Sequence, residues 1–151
     1  MRSRKSTLRV LLDTSFVLPS FGIETGKEVL DGLKRLENVK AAIYYSRFSI
    51  VESLWVAARL SKSGAFDADR FDLGLRSILE SGKYEEVRED AGAFNEALRL
   101  RMLGHNDMVD NILYASSVAF NLKFLTLDDE LNDFVQAKRL SNTIMSPRDI
   151  C

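Results

Sequence analysis

Four acidic residues, spread widely along the chain, have the types and positions that a metal site requires: Asp13, Glu52, Asp110 and Asp128. The aspartates at positions 13 and 128 each follow a short apolar run, and the other two acids lie early in amphipathic stretches. If the apolar runs are parallel strands, the acids meet outside the carboxyl ends of the sheet, where α/β proteins bind ligands. Carboxylates gathered there, in a chain with one histidine and one cysteine, suit a hard divalent cation such as Mg²⁺ or Mn²⁺.

Each aspartate also has a purely structural interpretation. Asp13 and Asp128 precede helical stretches, and aspartate is a favoured helix N-cap. Asp107 and Asp110 are three residues apart, so they could be first-turn acids that the helix dipole favours, or could bind a metal ion from one helix face. The sequence leaves open whether Asp107 replaces or joins Asp110 in the site.

Glu52 lies in the strongly apolar stretch 48–56 and needs a partner, because an unpaired buried charge is costly. That partner could be a metal ion or one of two nearby cations, Arg47 and Arg59. The single histidine, His105, is expected to be a loop residue before a helix, since a zinc site or general base built on it would lack clustered cysteines.

Apolar runs and amphipathic stretches alternate along the chain. The pattern predicts strands at 8–12, 41–46, 84–87, 123–127 and 143–145, the last at an edge. It predicts a short helix or turn at 14–20 and helices at 24–37, 49–60, 67–81, 90–103, 107–120 and 129–137. This alternation predicts a three-layer α/β/α sandwich with a central, mainly parallel sheet of four to five strands, although it does not give their order. Trp55, the phenylalanines and Tyr114 are expected to pack in the interior.

Composition limits the classes of protein that the chain can belong to. A length of 151 residues, 46% hydrophobic and 28% charged, predicts one soluble domain spanning 1–151. The net charge of −1 provides no long-range attraction for nucleic acid, so any such contact must be local. One terminal cysteine and the lack of a long apolar run predict a cytoplasmic protein with no membrane contact.

Several other chemistries lack their motifs. The chain has no phosphate-binding or dinucleotide-binding glycine loop and no Gly-x-Ser-x-Gly elbow. An aspartyl-phosphate phosphatase would need a second aspartate two residues after Asp13, where this chain has Ser15.

The ordered set of motifs resembles the PIN domain family, and most closely the small VapC-type toxins of prokaryotes. Three stretches carry the resemblance: the strand end Leu-Leu-Asp-Thr-Ser at 11–15, Ser-Ile-Val-Glu at 49–52, and the pair Asp-Asn-Ile-Leu-Tyr-Ala at 110–115 with Phe-Leu-Thr-Leu-Asp at 124–128. They occur in the family's order and span nearly the whole chain.

The resemblance implies a Mg²⁺- or Mn²⁺-dependent endoribonuclease that cleaves RNA phosphodiesters with a metal-activated water. Asp13, Glu52 and Asp110 would be the main metal ligands, Asp128 would complete the set directly or through water, and Ser15 would position Asp13, a metal-bound water or the phosphate. A VapC-type toxin would be a homodimer with a cognate antitoxin protein. A stand-alone RNA-processing nuclease, or a catalytically weak RNA-binding or scaffold domain, remains the alternative.

Overall fold

Five parallel strands form a central sheet in the computed structural model, which describes residues 6–151. The strands are β1 (Arg9–Leu12), β2 (Ala42–Tyr45), β3 (Glu85–Glu86), β4 (Lys123–Leu125) and β5 (Ile144–Met145). Their spatial order is β3-β2-β1-β4-β5, and every neighbouring pair is parallel. The predicted fold class and the edge position of the last strand are therefore confirmed.

Within residues 6–151, seven α-helices cover the two faces of this sheet. They are α1 (Thr14–Val17), α2 (Lys27–Asn38), α3 (Arg47–Lys62), α4 (Ala68–Glu80), α5 (Ala91–Met102), α6 (Met108–Ala119) and α7 (Asp129–Ala137). None of the helices in this part of the chain combines the length and apolar character that a membrane span needs.

The alternation of side chains along β1 divides the interior into two layers. Val10 packs in a core with residues of α1 to α4, such as Phe16, whereas Leu11 packs on the opposite face with residues of α5 to α7, such as Leu113. All four side chains are fully buried. Successive strand residues point to opposite faces, so a run of apolar residues is what a strand covered on both sides requires.

Two helix starts differ from the predicted positions by more than one residue, each for a local reason. Helix α2 begins at Lys27 rather than at residue 24, because Gly26 precedes it with a φ of 104°, which is outside the helical region. Helix α3 begins at Arg47 rather than at residue 49, because the side chain of Ser46 caps it by accepting a hydrogen bond from Phe48 N.

The strand order reverses direction between β1 and β4. The chain passes from β1 outward to β2 and β3, then returns to the other side of β1 for β4 and β5. In open α/β sheets the crevice that binds ligands forms at such a reversal, outside the carboxyl ends of the strands. Helices α1, α3 and α7 begin at this edge because each follows a strand, and α6 begins there because it runs back to the start of β4.

We predict that Gly74→Ala destabilises the fold, because a Cβ at Gly74 would lie 2.0 Å from the backbone oxygen of Ser20. The free energy of unfolding should fall by about 1–3 kcal/mol through overpacking. Gly92→Ala is the matched control, since its Cβ would approach only Asp90 Oδ1 at 3.4 Å; it should be neutral or stabilising by up to about 1 kcal/mol. Urea denaturation followed by circular dichroism measures both, and equal stability of the two variants would contradict the predicted close packing.

Candidate functional site

A cavity of about 480 Å³ opens at the carboxyl edge of the sheet, beside the end of β1. Its wall includes five of the residues that the sequence analysis singled out: Asp13, Ser15, Glu52, Asp107 and Asp110. Asp128 lines a neighbouring cavity of about 600 Å³ and is hydrogen-bonded to Asp110. The structure thus brings together all six residues, which are far apart in the sequence.

Asp13 is held between the ends of the two central strands. Its Oδ1 accepts a hydrogen bond of 2.6 Å from Thr14 N, which makes it the N-cap of α1. Its Oδ2 accepts one of 2.8 Å from Thr126 Oγ1, one residue beyond β4. Burial raises the pKa of Asp13 to about 6, despite these two hydrogen bonds, and the charges of Glu52 and Asp128 add to the increase.

Glu52 lies half-buried on α3, and its partner is a threonine. The hydroxyl of Thr14 donates to Glu52 Oε1 and lies 3.2 Å from the hydroxyl of Ser49. Neither Arg47 nor Arg59 pairs with Glu52 in the described part of the chain, so the ion-pair alternative is wrong there; Arg47 instead pairs with Glu86. Burial raises the pKa of Glu52.

Asp110 and Asp128 form a carboxyl pair that shares a hydrogen bond. Such a bond requires a proton on one of the two carboxyls, and Asp110, which is the less exposed of the pair at 8%, is the one whose pKa is raised. Burial, the bond to Asp128 and the charge of Asp13 raise the pKa of Asp110 to about 9. Although burial acts to raise the pKa of Asp128, the bonds from Asp110 and from Leu131 N lower it overall.

Asp107 and Ser15 lie in the same cavity wall with different surroundings. Asp107 is the N-cap of α6, because its Oδ1 accepts a hydrogen bond of 3.1 Å from Asp110 N. Within residues 6–151 the hydroxyl of Ser15 makes no hydrogen bond to Asp13, whose two oxygens are taken by Thr14 and Thr126. Ser15 therefore faces the cavity with its hydroxyl available to a phosphate or a water.

The sequence analysis missed the position of His105. As predicted, His105 lies in the loop before α6, but its side chain is buried, and one of its ligand atoms lies within 4.8 Å of carboxylate oxygens of Asp110 and Asp128. Its Nδ1 lies 2.6 Å from Asn111 Oδ1, and Asn111 Nδ2 donates to the His105 carbonyl. The amide oxygen can only accept, so Nδ1 carries a proton, and Nε2 is the ring nitrogen that has no hydrogen-bond partner among residues 6–151.

The prediction that Trp55 packs in the core is wrong. Its side chain is 68% exposed and lines the mouth of the cavity. The physical reason is that α3 packs on the protein through small residues, namely Ser49, Ser53 and Ala57, which leaves no buried position for the indole. Tyr114, by contrast, is buried as predicted, and its hydroxyl donates to the carbonyl of Ser141.

The side chains present fit a divalent cation. Carboxylate oxygens from Asp13, Glu52 and Asp110 border one cavity, and Asp128 with His105 extends the donor set. Carboxylates suit Mg²⁺ and Mn²⁺, and an imidazole nitrogen adds affinity for transition metals over Mg²⁺. Burial and, to a smaller extent, the charges of neighbouring acids raise the pKa values of Asp13 and Asp110, and a bound cation would offset both effects.

We predict that the metal-free protein loses stability as the pH rises. Because the pKa is raised from 3.8 to about 6 for Asp13 and to about 9 for Asp110, the folded state retains protons that the unfolded chain releases. The stability that these groups contribute is complete below about pH 4 and is lost as the pH rises through the folded values. Asp128 has a lowered pKa, so the stability that it contributes is lost as the pH falls, but only below its ordinary value of 3.8.

Urea denaturation in EDTA tests this at about pH 5 and about pH 8, and the free energy of unfolding should be lower at the higher pH by on the order of 2 kcal/mol. Asp110→Asn should flatten the dependence, whereas Asp31→Asn, at an exposed position on α2, should keep the wild-type slope. Equal or greater wild-type stability at the higher pH would refute the assignment of the shared proton.

Comparison with solved structures supports the fold. A toxin-antitoxin complex from Klebsiella pneumoniae matches with a TM-score of 0.56 and 14% identity, over 91% of this chain and 97% of that one. VapBC2 from Rickettsia felis, bound to a DNA fragment from their promoter, matches with a TM-score of 0.58 and 13% identity, over 92% and 98%. FitAcB from Neisseria gonorrhoeae matches with a TM-score of 0.55 and 15% identity, over 92% and 98%.

No curated protein sequence matches this chain. The sequence profile described as "PIN domain" matches residues 10–136, which include the four acids, Thr14 and Thr126, all of β2 to β4 and all of β1 except its first residue. With the parallel sheet and the acids gathered at its carboxyl edge, this match shows that the chain belongs to the PIN domain family.

Proposed function

We propose that this protein is a metal-dependent endoribonuclease and the toxin of a toxin-antitoxin pair. The observation that carries the proposal is the convergence of Asp13, Glu52 and Asp110 on one cavity of a PIN domain, with Asp128 hydrogen-bonded to Asp110. PIN domains are nucleases, and this set of side chains provides ligands for a cation but no strong nucleophile of its own.

The proposed chemistry assigns a role to each side chain at the edge of the sheet. Asp13, Glu52 and Asp110 would bind the cation, with Asp128 completing the set and Asp107 at its margin. A divalent ion held there supplies a bound water of lowered pKa and positive charge beside the phosphodiester. Ser15 would donate its hydroxyl to a phosphate oxygen or to that water.

Two threonines position the acids for this work. Thr126 Oγ1 and Thr14 N donate to the two oxygens of Asp13, and the hydroxyl of Thr14 donates to Glu52 Oε1, so both carboxylates are held in place with further lone pairs that a cation could use. The proton shared by Asp110 and Asp128 would leave when a cation binds, because the positive charge lowers the pKa of both carboxyls.

The toxin role and the partners belong to the same proposal. Structures that share this fold include toxin-antitoxin complexes, and this supports an antitoxin as the protein partner. Such an antitoxin could inhibit by sending a basic side chain among the acids, and two copies of the toxin would form a homodimer. A housekeeping RNA-processing nuclease is the alternative, and harmless expression of an active enzyme without a co-purifying small protein would favour it.

We predict that the purified protein cleaves RNA with Mg²⁺ or Mn²⁺ and that EDTA abolishes cleavage. Asp13→Asn should lower the rate by about 10²-fold or more, because one ligand of the cation is lost while the amide can still cap α1. Asp31→Asn is the control of equal charge change, and its rate should match that of the wild type. Metal-independent cleavage, or full activity of Asp13→Asn, would refute the mechanism.

Binding of the cation is measured separately from activity by the melting temperature. Millimolar Mn²⁺ should raise the wild-type value by a few degrees, since a ligand at about tenfold its Kd adds roughly 1.4 kcal/mol to the stability of the folded state. Asp13→Asn should show a smaller increase and Asp31→Asn the full increase. An unchanged wild-type melting curve across the millimolar range would contradict a metal site.

A further inference from the structure

Helix α3 presents two more side chains to the cavity beside its acid. Glu52, Trp55 and Arg59 are at positions i, i+3 and i+7 of the helix, so they lie on one face. All three line the same cavity as Asp13 and Asp110. With a rise of about 1.5 Å per residue, the Cα atom of Trp55 lies about 4.5 Å along the helix axis from that of Glu52, and the Cα atom of Arg59 lies about 10 Å from it.

The indole of Trp55 lies on the exposed side of α3, at the edge of the cavity. It is the single tryptophan of the chain, and 68% of its surface is accessible, although the helix has buried contacts through Ser49, Ser53 and Ala57. A flat aromatic ring at the mouth of a polar cavity is a surface on which a nucleobase can stack, and proteins that bind single strands use such rings repeatedly.

Arg59 provides the only cationic side chain among the described residues that line this cavity. It forms no ion pair within residues 6–151, whereas Arg47, three turns back on the same helix, is paired with Glu86. A guanidinium that is free of partners and close to a set of acids is available to an anion such as a backbone phosphate.

We propose that Trp55 stacks on a base of the substrate and that Arg59 binds a neighbouring phosphate, which makes both side chains contacts for RNA outside the set of acids. This inference rests on the proposed ribonuclease function and assigns two substrate-contacting residues to that site. A base inside a duplex is already stacked on both faces, so it can cover the indole only after it has been unstacked, at a cost in free energy.

RNA fits this surface better than a protein partner does. The cavity wall is dominated by acids, hydroxyls and one arginine, a composition suited to metal-bridged phosphate and to sugar. The exposed aliphatic residues of the same helix, Val51 and Leu54, do not line the cavity, although an apolar helix that docked on α3 would have to cover them. Loss of dimerisation or of antitoxin binding in a Trp55 variant is therefore an outcome to be distinguished.

The single tryptophan gives a direct readout that does not depend on catalysis. In EDTA, where the RNA stays intact, an eight-nucleotide single-stranded RNA should quench the indole emission of the full protein, and a blunt duplex of the same sequence should quench it much less. Labelled RNA followed by fluorescence anisotropy gives the affinity of variants that lack the tryptophan.

Trp55→Ala should weaken single-strand binding by about 5- to 150-fold, and Trp55→Phe should restore most of the affinity because it keeps an aromatic face. Leu54→Ala, which removes an apolar side chain that is also exposed but lies outside the cavity, should leave affinity unchanged. Arg59→Gln should reduce the slope of log affinity against log salt concentration by about 1, which is the change expected when one phosphate contact is lost. Arg47→Gln, at the paired arginine, should leave the slope as it is in the wild type.

The outcomes separate this inference from the proposed function. Cleavage of RNA with unquenched indole emission and unchanged affinity of Trp55→Ala would overturn the inference and leave the nuclease intact. If Trp55→Ala binds RNA with unchanged affinity but has a monomeric mass or no longer binds the antitoxin, Trp55 would belong to a protein interface instead. A wild type that neither binds nor cleaves RNA in any metal condition would overturn both.

Discussion

The pairing of β1 with β4 is the constraint on which the site depends, because it joins strand ends that are more than a hundred residues apart. Asp13 N donates to Leu125 O at 3.0 Å, and Thr126 Oγ1 returns a bond to the Asp13 carboxylate. This exchange fixes the acid at the point where strand order reverses. Helices that start on either side of it then bring Glu52 and Asp110 to the same edge.

Crowded carboxylates are tolerated because the backbone of the helices offers them donors. Asp13, Asp107 and Asp128 each accept a bond from an N–H in the first turn of a helix, where the dipole also favours negative charge. Asp110 has no such bond in the described residues, is the least exposed of the acids, and has a pKa that burial and its neighbours raise. The two interpretations of Asp13 and Asp128, as cap or as candidate ligand, therefore describe one arrangement.

Periodicity was enough to predict the layers, the parallel strands and the positions of the acids at strand ends and helix starts. It could not supply the strand order, because apolar runs such as β1 and β4 do not encode their neighbours. Nor could it place Trp55, His105 or Thr126, since each depends on a contact between distant segments. Trp55 was assigned to the core from its residue type, yet small residues on the opposite face of α3 had already determined which side of that helix is buried.

Asp13 and Asp128 both cap helices and, in the proposed function, also help to bind the cation, so two requirements limit which residues can replace them. Replacing Asp13 or Asp128 with alanine removes a charge and also a helix cap, and the loss of each cap costs roughly 1 kcal/mol. Such a protein would lose stability together with the proposed activity. Asparagine or serine at those positions preserves the cap and removes the charge. A relative that has lost the proposed activity but still folds and binds should therefore carry asparagine or serine at these positions. Its loss of activity could then be recognised from its sequence alone.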